Sequence, residues 1–161
     1  MFTIKIHKAT IEDSALILKF VTDLAIYEKA EQEVIATVSD IEASLFGSGS
    51  TTHALICNID NKPAGYAVYF FNYSTWLGKH GLYLEDLYVS PDYRGKGAGL
   101  SILKYLAKTA LSNNCGRFEW NVLKWNEPAI QLYQSMGAKP QDEWVGYRLE
   151  GKALETFAKQ G

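Results

Sequence analysis

Residues 83–105 read as a strand that passes through a glycine-rich turn straight into an amphipathic helix. The strand half, residues 83–89, is aromatic and aliphatic, and it stops at Ser90-Pro91 because proline has no N–H to give to a ladder. In the helix half, Leu100, Leu103, Leu106, Ala107 and Ala110 recur at three- and four-residue spacings, which predicts one packed face with Lys104 and Lys108 toward water. Between them, Arg94-Gly95-Lys96-Gly97-Ala98-Gly99 holds three glycines, so backbone N–H groups can converge on a ligand with no Cβ in the way. The first turn of a helix adds unpaired N–H groups and partial positive charge, and Arg94 and Lys96 add full charges beside it. Such a join suits a phosphate or diphosphate.

The chemistry of that phosphate compound is narrowed by what the loop lacks. A Walker loop needs Gly-Lys followed at once by Ser or Thr, whereas Lys96 is followed by Gly97, so ATP is disfavoured. A dinucleotide fingerprint started at Gly95 would need glycine where Leu100 stands, which disfavours NAD and FAD. The pattern present is R-x-x-G-x-G, carried by Arg94, Gly97 and Gly99 and preceded by L-E-D-L-Y-V.

At 161 residues, 47% of them hydrophobic, the chain has the size and apolar content of one compact α/β domain spanning 1–161, with no room for a second. A net charge of −2 without a basic stripe argues against nucleic acid as a partner. The longest apolar stretch, residues 64–71, is too short to span a bilayer. His7, His53 and His80 are scattered, and Cys57 and Cys115 form no C-x-x-C. The expectation is therefore a cytoplasmic protein with reduced thiols, no membrane partner and no metal.

The rest of the chain alternates. Residues 3–7 predict a strand. Thr10 and Asp13 predict a helix start, with Leu16, Ile17, Phe20, Val21 and Leu24 as its apolar face and an end near Tyr27. Ser39 and Glu42 predict the cap of a second, short helix closed by Gly47. Residues 53–59 and 64–71 predict a hairpin joined by Asp60-Asn61-Lys62-Pro63. After the central strand and the glycine-loop helix come a strand at 117–123, a helix from Asn126 to Ser135 with Pro128 in its first turn, a strand at 144–150 and a terminal helix.

This order, with the R-x-x-G-x-G loop, resembles the GNAT superfamily of N-acetyltransferases, whose fold is a central, mostly antiparallel sheet flanked by helices. Ile26-Tyr27-Glu28, Tyr73-Ser74-Thr75-Trp76, Leu82-Tyr83-Leu84-Glu85-Asp86, and Trp125-Asn126-Glu127-Pro128 with Leu132-Tyr133 resemble its diamine (spermidine/spermine) N-acetyltransferase branch. The wording at 73–76 is similar to the thialysine subgroup. Polyamine-preferring members resemble Asp-Pro-Trp there, so Ser74-Thr75 replaces a carboxylate that a polycation would use. The resemblance implies acetyl-CoA as cosubstrate, a small primary amine as acceptor and a homodimer. It further implies that Leu87, Tyr88 and Val89 present backbone to the pantetheine arm, and that Arg94, Gly95, Lys96, Gly97, Ala98, Gly99 and Leu100 hold the diphosphate. Asn126, Glu127, Pro128 and Ala129 would line the cofactor's far side, Tyr27, Glu28, Trp76 and Glu85 the amine, with Glu85 as base and Tyr133 as acid.

The residues themselves leave blander readings open. Glu85 and Asp86 adjoin on a strand, so they point to opposite faces and one of them is simply a solvated or paired carboxylate. Tyr133 follows Ile130 at helical spacing and suits a core aromatic. Tyr27 and Glu28 begin a run with Glu31 and Glu33 that suits a solvated helix end, and Trp76 suits a loop residue capping the core. A protein N-acetyltransferase and a non-catalytic acetyl-CoA-binding module share the loop. The first would want an open groove, and the second would need neither Glu85 nor Tyr133.

Overall fold

The computed structural model describes Met1–Gly161, and its backbone groups into two compact units, Met1–Leu123 and Lys124–Gly161. The first unit carries β1 (Ile4–Lys8), α1 (Ser14–Tyr27), α2 (Val38–Phe46), β2 (Thr52–Ile59), β3 (Lys62–Ser74), β4 (Lys79–Val89), α3 (Ala98–Ser112) and β5 (Phe118–Trp120). Its five strands lie in the order β1-β2-β3-β4-β5, antiparallel throughout except for the parallel β4–β5 pair. This is the mixed, mostly antiparallel α/β sheet expected.

Local chemistry explains most boundaries. α1 is preceded by a single 3-10 turn in which the Asp13 carboxylate accepts from the Thr10 N–H at 2.8 Å, and it ends at Tyr27 as expected. α2 is capped two residues earlier than expected: Thr37 Oγ1 accepts from the Asp40 N–H at 3.2 Å, and the Asp40 carboxylate accepts from the Thr37 N–H at 2.8 Å. Ser39 and Glu42 have the same spacing but lie inside the helix, and Ile41, Leu45 and Phe46 of α2 pack against the core. The β2–β3 turn is two residues, Asp60 (φ 49°) and Asn61 (φ 65°). Both are left-handed, as a turn matched to strand twist requires, so Lys62 and Pro63 belong to β3.

The sheet packs on both faces. One face holds Ala54, Ile56, Tyr66, Val68 and Tyr88 against Ile17 and Phe20 of α1, with the Phe20 and Tyr66 rings stacked at 5.4 Å. α3 lies over strands β1 to β4 and buries Ala98, Ile102, Leu103, Leu106 and Ala110. Leu100 is not on that packed face as the spacing suggested; it is exposed, and Ile102 fills the core position. α3 ends at Ser112, and Asn114, two residues on, takes the left-handed conformation (φ 55°).

A bulge in β4 changes which way the strand faces. Val68 opposes Asp86 and Tyr69 opposes Leu84, so Glu85 is the extra residue. Leu82 and Leu84 therefore share the face of Tyr69, while Asp86 and Tyr88 share the α1 face of Val68 and Tyr66.

The second unit carries α4 (Glu127–Ser135), with Pro128 in its first turn and Gly137 at φ 89° after it, and α5 (Gly151–Ala158). Residues 144–150, expected as a strand, form no ladder, and the strand expected over 117–123 is limited to Phe118–Trp120. Alternation specifies a face for a strand but supplies no partner edge.

Gly65 opposes Val89 at the end of β4, and a Cβ on it would run into the Tyr88 carbonyl oxygen. Gly65→Ala is expected to cost about 1–3 kcal/mol, the usual range for overpacking a tight site. Chemical denaturation checks this, and unchanged stability would mean that the two strands can move apart freely.

Candidate active site

Two features of β4 meet at Glu85. β5 pairs with β4 only from Leu82 to Leu84, so alongside residues 85–89 that neighbour has ended. The bulge falls at the same residue. The strand thus offers a run of backbone unclaimed by β5, from Glu85 to Val89, which leads through the Pro91–Tyr93 turn into the glycine loop. Glu85 is exposed at the head of this run, and Leu87 and Val89 are half-buried within it.

The loop has the geometry a diphosphate needs. Gly95 (φ 75°) and Gly97 (φ 87°) are both left-handed, a conformation that L side chains rarely adopt, and nothing lies within 4 Å of a Cβ built on Gly95. Gly97 caps α3, and the first intrahelical acceptance there is by its own carbonyl, from the Ser101 N–H at 2.9 Å. The N–H groups of Ala98, Gly99 and Leu100 are thus the orphan donors of a helix start, suited to an anion. The chain's own residues fit the diphosphate of acetyl-CoA.

The two loop cations contact aromatic rings. Lys96 Nζ lies 4.7 Å from the ring centre of Phe2 and 5.4 Å from that of Tyr93. Arg94 donates from Nε to the Val89 carbonyl at 2.9 Å, with its guanidinium 5.0 Å from the Tyr27 ring centre and 5.6 Å from that of Tyr88.

On the α1 face a second polar group assembles. The fully buried Tyr66 donates its hydroxyl to the Asp86 carboxylate at 2.6 Å. Burial pushes the Asp86 carboxyl up from its ordinary value, and the Tyr66 hydrogen bond opposes that rise. Glu28, one residue past α1, is also held above the ordinary carboxylate range, first by burial and then by the charge of Asp86. The Tyr66 phenol is raised far beyond its usual value by burial, then by Asp86, and so remains a donor. Of the adjoining carboxylates, Asp86 is turned inward to the Tyr66 hydroxyl and Glu85 is exposed.

The first unit thus brings Tyr27, Glu28, Asp86, Tyr88 and Arg94 together. Trp76 is not among them. It lies in the β3–β4 turn, exposed, with the Arg117 guanidinium 5.8 Å from its ring centre, and six strand residues, about 20 Å, separate that turn from Glu85. Ser74 is buried there, and its hydroxyl accepts from the Leu77 N–H at 3.3 Å. Asn126, Glu127, Pro128, Ala129 and Tyr133 stand at the start and middle of α4 in the second unit. Tyr66 was missed from sequence because it sits inside an apolar run and meets Asp86 only through strand register, 20 residues away.

Residues 20–138 match the acetyltransferase (GNAT) family. A thialysine N-epsilon-acetyltransferase of Sus scrofa is 37% identical over 169 residues, covering 98% of this chain and 99% of that protein. A human spermidine/spermine N(1)-acetyltransferase-like protein 1 is 33% identical across 96% of this chain but only 24% of its own length. Among solved structures, an integron cassette protein from the V. cholerae mobile metagenome superposes with a TM-score of 0.81 at 28% identity, covering 98% of both chains.

The Tyr66–Asp86 bond carries a pH signature. Because the folded Asp86 pKa is raised, its contribution to stability is fully present below the ordinary carboxyl pKa and is lost as pH rises through the raised value. Tyr66→Phe removes the one hydrogen bond that restrains that rise. The variant is expected to lose about 1.5–3 kcal/mol at pH 7 and distinctly less at about pH 3, below the ordinary carboxyl pKa, because the raised Asp86 carboxyl takes up its proton as pH falls. Denaturant titrations at the two pH values check this, and equal losses would show that the hydroxyl does not act on the ionised carboxylate.

Proposed function

Because the chain belongs to the acetyltransferase (GNAT) family and is an N-acetyltransferase, we propose that it acetylates a small primary amine, a thialysine-like amino acid or a short diamine, by direct attack in a ternary complex. The observation that carries this reading is the backbone of residues 85–89, left by β5 and leading into the glycine loop at the start of α3. Strand-like pairing along Leu87, Tyr88 and Val89 suits a pantetheine arm, and the orphan N–H groups of Ala98, Gly99 and Leu100 suit a diphosphate. Acetyl-CoA supplies the activated acetyl thioester.

The side chains take the proton work. An amine with a pKa of about 10 is protonated at neutral pH and must lose a proton before it attacks. Glu85, exposed at the head of the open run, accepts it directly or through water. The Leu87 N–H stabilises the oxygen that gains charge during transfer. By the family resemblance, Tyr133 on α4 is the acid that protonates the departing sulfur, and Asn126, Glu127, Pro128 and Ala129 are cofactor residues. Glu28 and Asp86, two carboxylates on the α1 face, favour a cationic acceptor over a neutral one.

The thialysine-acting relative spans the full chain, and Ser74-Thr75 lack the carboxylate of the polyamine wording, so lysine analogues are favoured over spermidine and spermine. A protein substrate has no comparable support. α5 leaves Leu154 and Phe157 exposed, and a second copy of the chain, as a homodimer, would cover them.

Acetyl-CoA-dependent turnover across thialysine, lysine, ornithine, putrescine, spermidine and spermine tests the reading. Thialysine is expected to give higher kcat/KM than spermidine, and a strong preference for spermine would reverse the assignment. Tyr133→Phe is expected to lower kcat by roughly 10²- to 10⁴-fold with CoA affinity nearly unchanged. Turnover within a few-fold of wild type from pH 6 to 10 would remove Tyr133 from the chemistry. Sedimentation at micromolar concentration should give a dimer, and a monomer would refute the role of α5.

A further inference from the structure

Arg94 opens the glycine loop, yet its side chain reaches backward, to the end of β4 and the end of α1. Its Nε–H is committed to the carbonyl of Val89, the last residue of β4, at 2.9 Å. Its guanidinium lies 5.0 Å from the centre of the Tyr27 ring and 5.6 Å from that of Tyr88. Tyr27 is the final residue of α1, directly before Glu28, whereas Tyr88 is buried in the core with its ring 6.2 Å from that of Phe20. One planar cation thus joins three elements: the root of the cofactor loop, the end of β4 and the end of α1.

We propose that Arg94 is a positioning residue that couples the amine end of the site to the cofactor loop, by holding Tyr27 and the Val89 carbonyl in one bracket. Three properties of guanidinium make this possible. It stays charged, it has a donor at Nε separate from its terminal nitrogens, and its flat face can lie against aromatic rings. A lysine at 94 would keep the charge for a phosphate but lose both the Nε bond and the flat face. When the bracket is closed, the loop approaches the diphosphate from a fixed root, so less ordering remains to be done on binding. When it is opened from the Tyr27 side, the loop root loosens although no cofactor ligand has changed. By linkage, whatever occupies the Tyr27–Glu28 end and whatever occupies the loop then affect one another's affinity.

The inference rests on the proposed amine role of Tyr27 and Glu28, but its test needs no amine. CoA dissociation constants are measured by isothermal titration calorimetry for the full chain, for Tyr27→Leu, for Arg94→Gln and for the double variant. Tyr27→Leu is expected to weaken CoA binding about three- to tenfold, the scale of a cation–π contact plus the restraint it imposes. In the Arg94→Gln background the same change should have no further effect. Tyr27→Phe, which keeps the ring, should bind CoA as wild type does, and Arg94→Lys should be as weak as Arg94→Gln. Additive losses, full affinity in Tyr27→Leu, or recovery of affinity by Arg94→Lys would each overturn the bracket and leave Arg94 as an ordinary phosphate cation. Failure of every amine in the turnover panel would count against the acceptor assignment alone, because the calorimetric cycle reads CoA binding directly.

Discussion

The site depends on β4 having β3 as a partner along its full length and β5 for only three residues. Backbone polar groups are obligatory hydrogen-bonding groups, so a strand that one neighbour leaves at its midpoint must find other partners there. The bulge at Glu85 coincides with that point. An extra residue bends and twists the strand where its neighbour stops, which separates the two strand ends and exposes the side chain at the fork. From there the open backbone runs four residues to Val89, turns at Ser90-Pro91 and delivers two left-handed glycines to the start of α3. A mobile peptide or a loop would not hold five backbone groups and a helix terminus in line. The well-packed side of β4, against β3, supplies the rigidity, and the side left by β5 supplies the chemistry.

The polar group on the opposite face has a different physical basis. Asp86 costs solvation to bury, and Tyr66 repays only part of that through one short hydrogen bond. Glu28 adds a second carboxylate whose ionisation Asp86 opposes. Two acids raised together are held in a state that a cation would relieve, because an opposite charge lowers both pKa values at once. A protonated amine is such a cation. The arrangement therefore favours a cation on the α1 face, while Glu85 stands exposed at the fork.

The parts readable from sequence were those governed by local chemistry. The strand–glycine–helix join and the end of α1 at Tyr27 follow from neighbouring residues and form as read, whereas the hairpin connection read as Asp60-Asn61-Lys62-Pro63 shortens to Asp60-Asn61. Where two local signals competed, Thr37/Asp40 and Ser39/Glu42, the spacing was the same, and the structure forms the reciprocal cap at Thr37/Asp40. Residues 144–150 alternate like a strand yet join no ladder, because alternation does not specify a partner edge. The roles of Tyr66 and Arg94 were the least legible. Both arise from contacts that strand register and loop geometry create, not from any spacing along the chain.

The bulge also explains why simple alternation misleads at the centre of the site. Read with a period of two, Leu82, Leu84, Asp86 and Tyr88 would all share one face, putting a carboxylate in line with two leucines under α3. Inserting Glu85 as the extra residue in the register shifts the phase, so Leu82 and Leu84 keep the face of Tyr69 while Asp86 and Tyr88 turn toward α1. One irregular residue thereby sorts three adjacent side chains into three environments: Leu84 buried on one face, Glu85 exposed at the fork, Asp86 hydrogen-bonded on the other. A regular strand of the same composition would keep Asp86 on the face of Leu82 and Leu84, away from Tyr66 and α1. The irregularity is therefore part of the site in the same sense as the glycines that follow it.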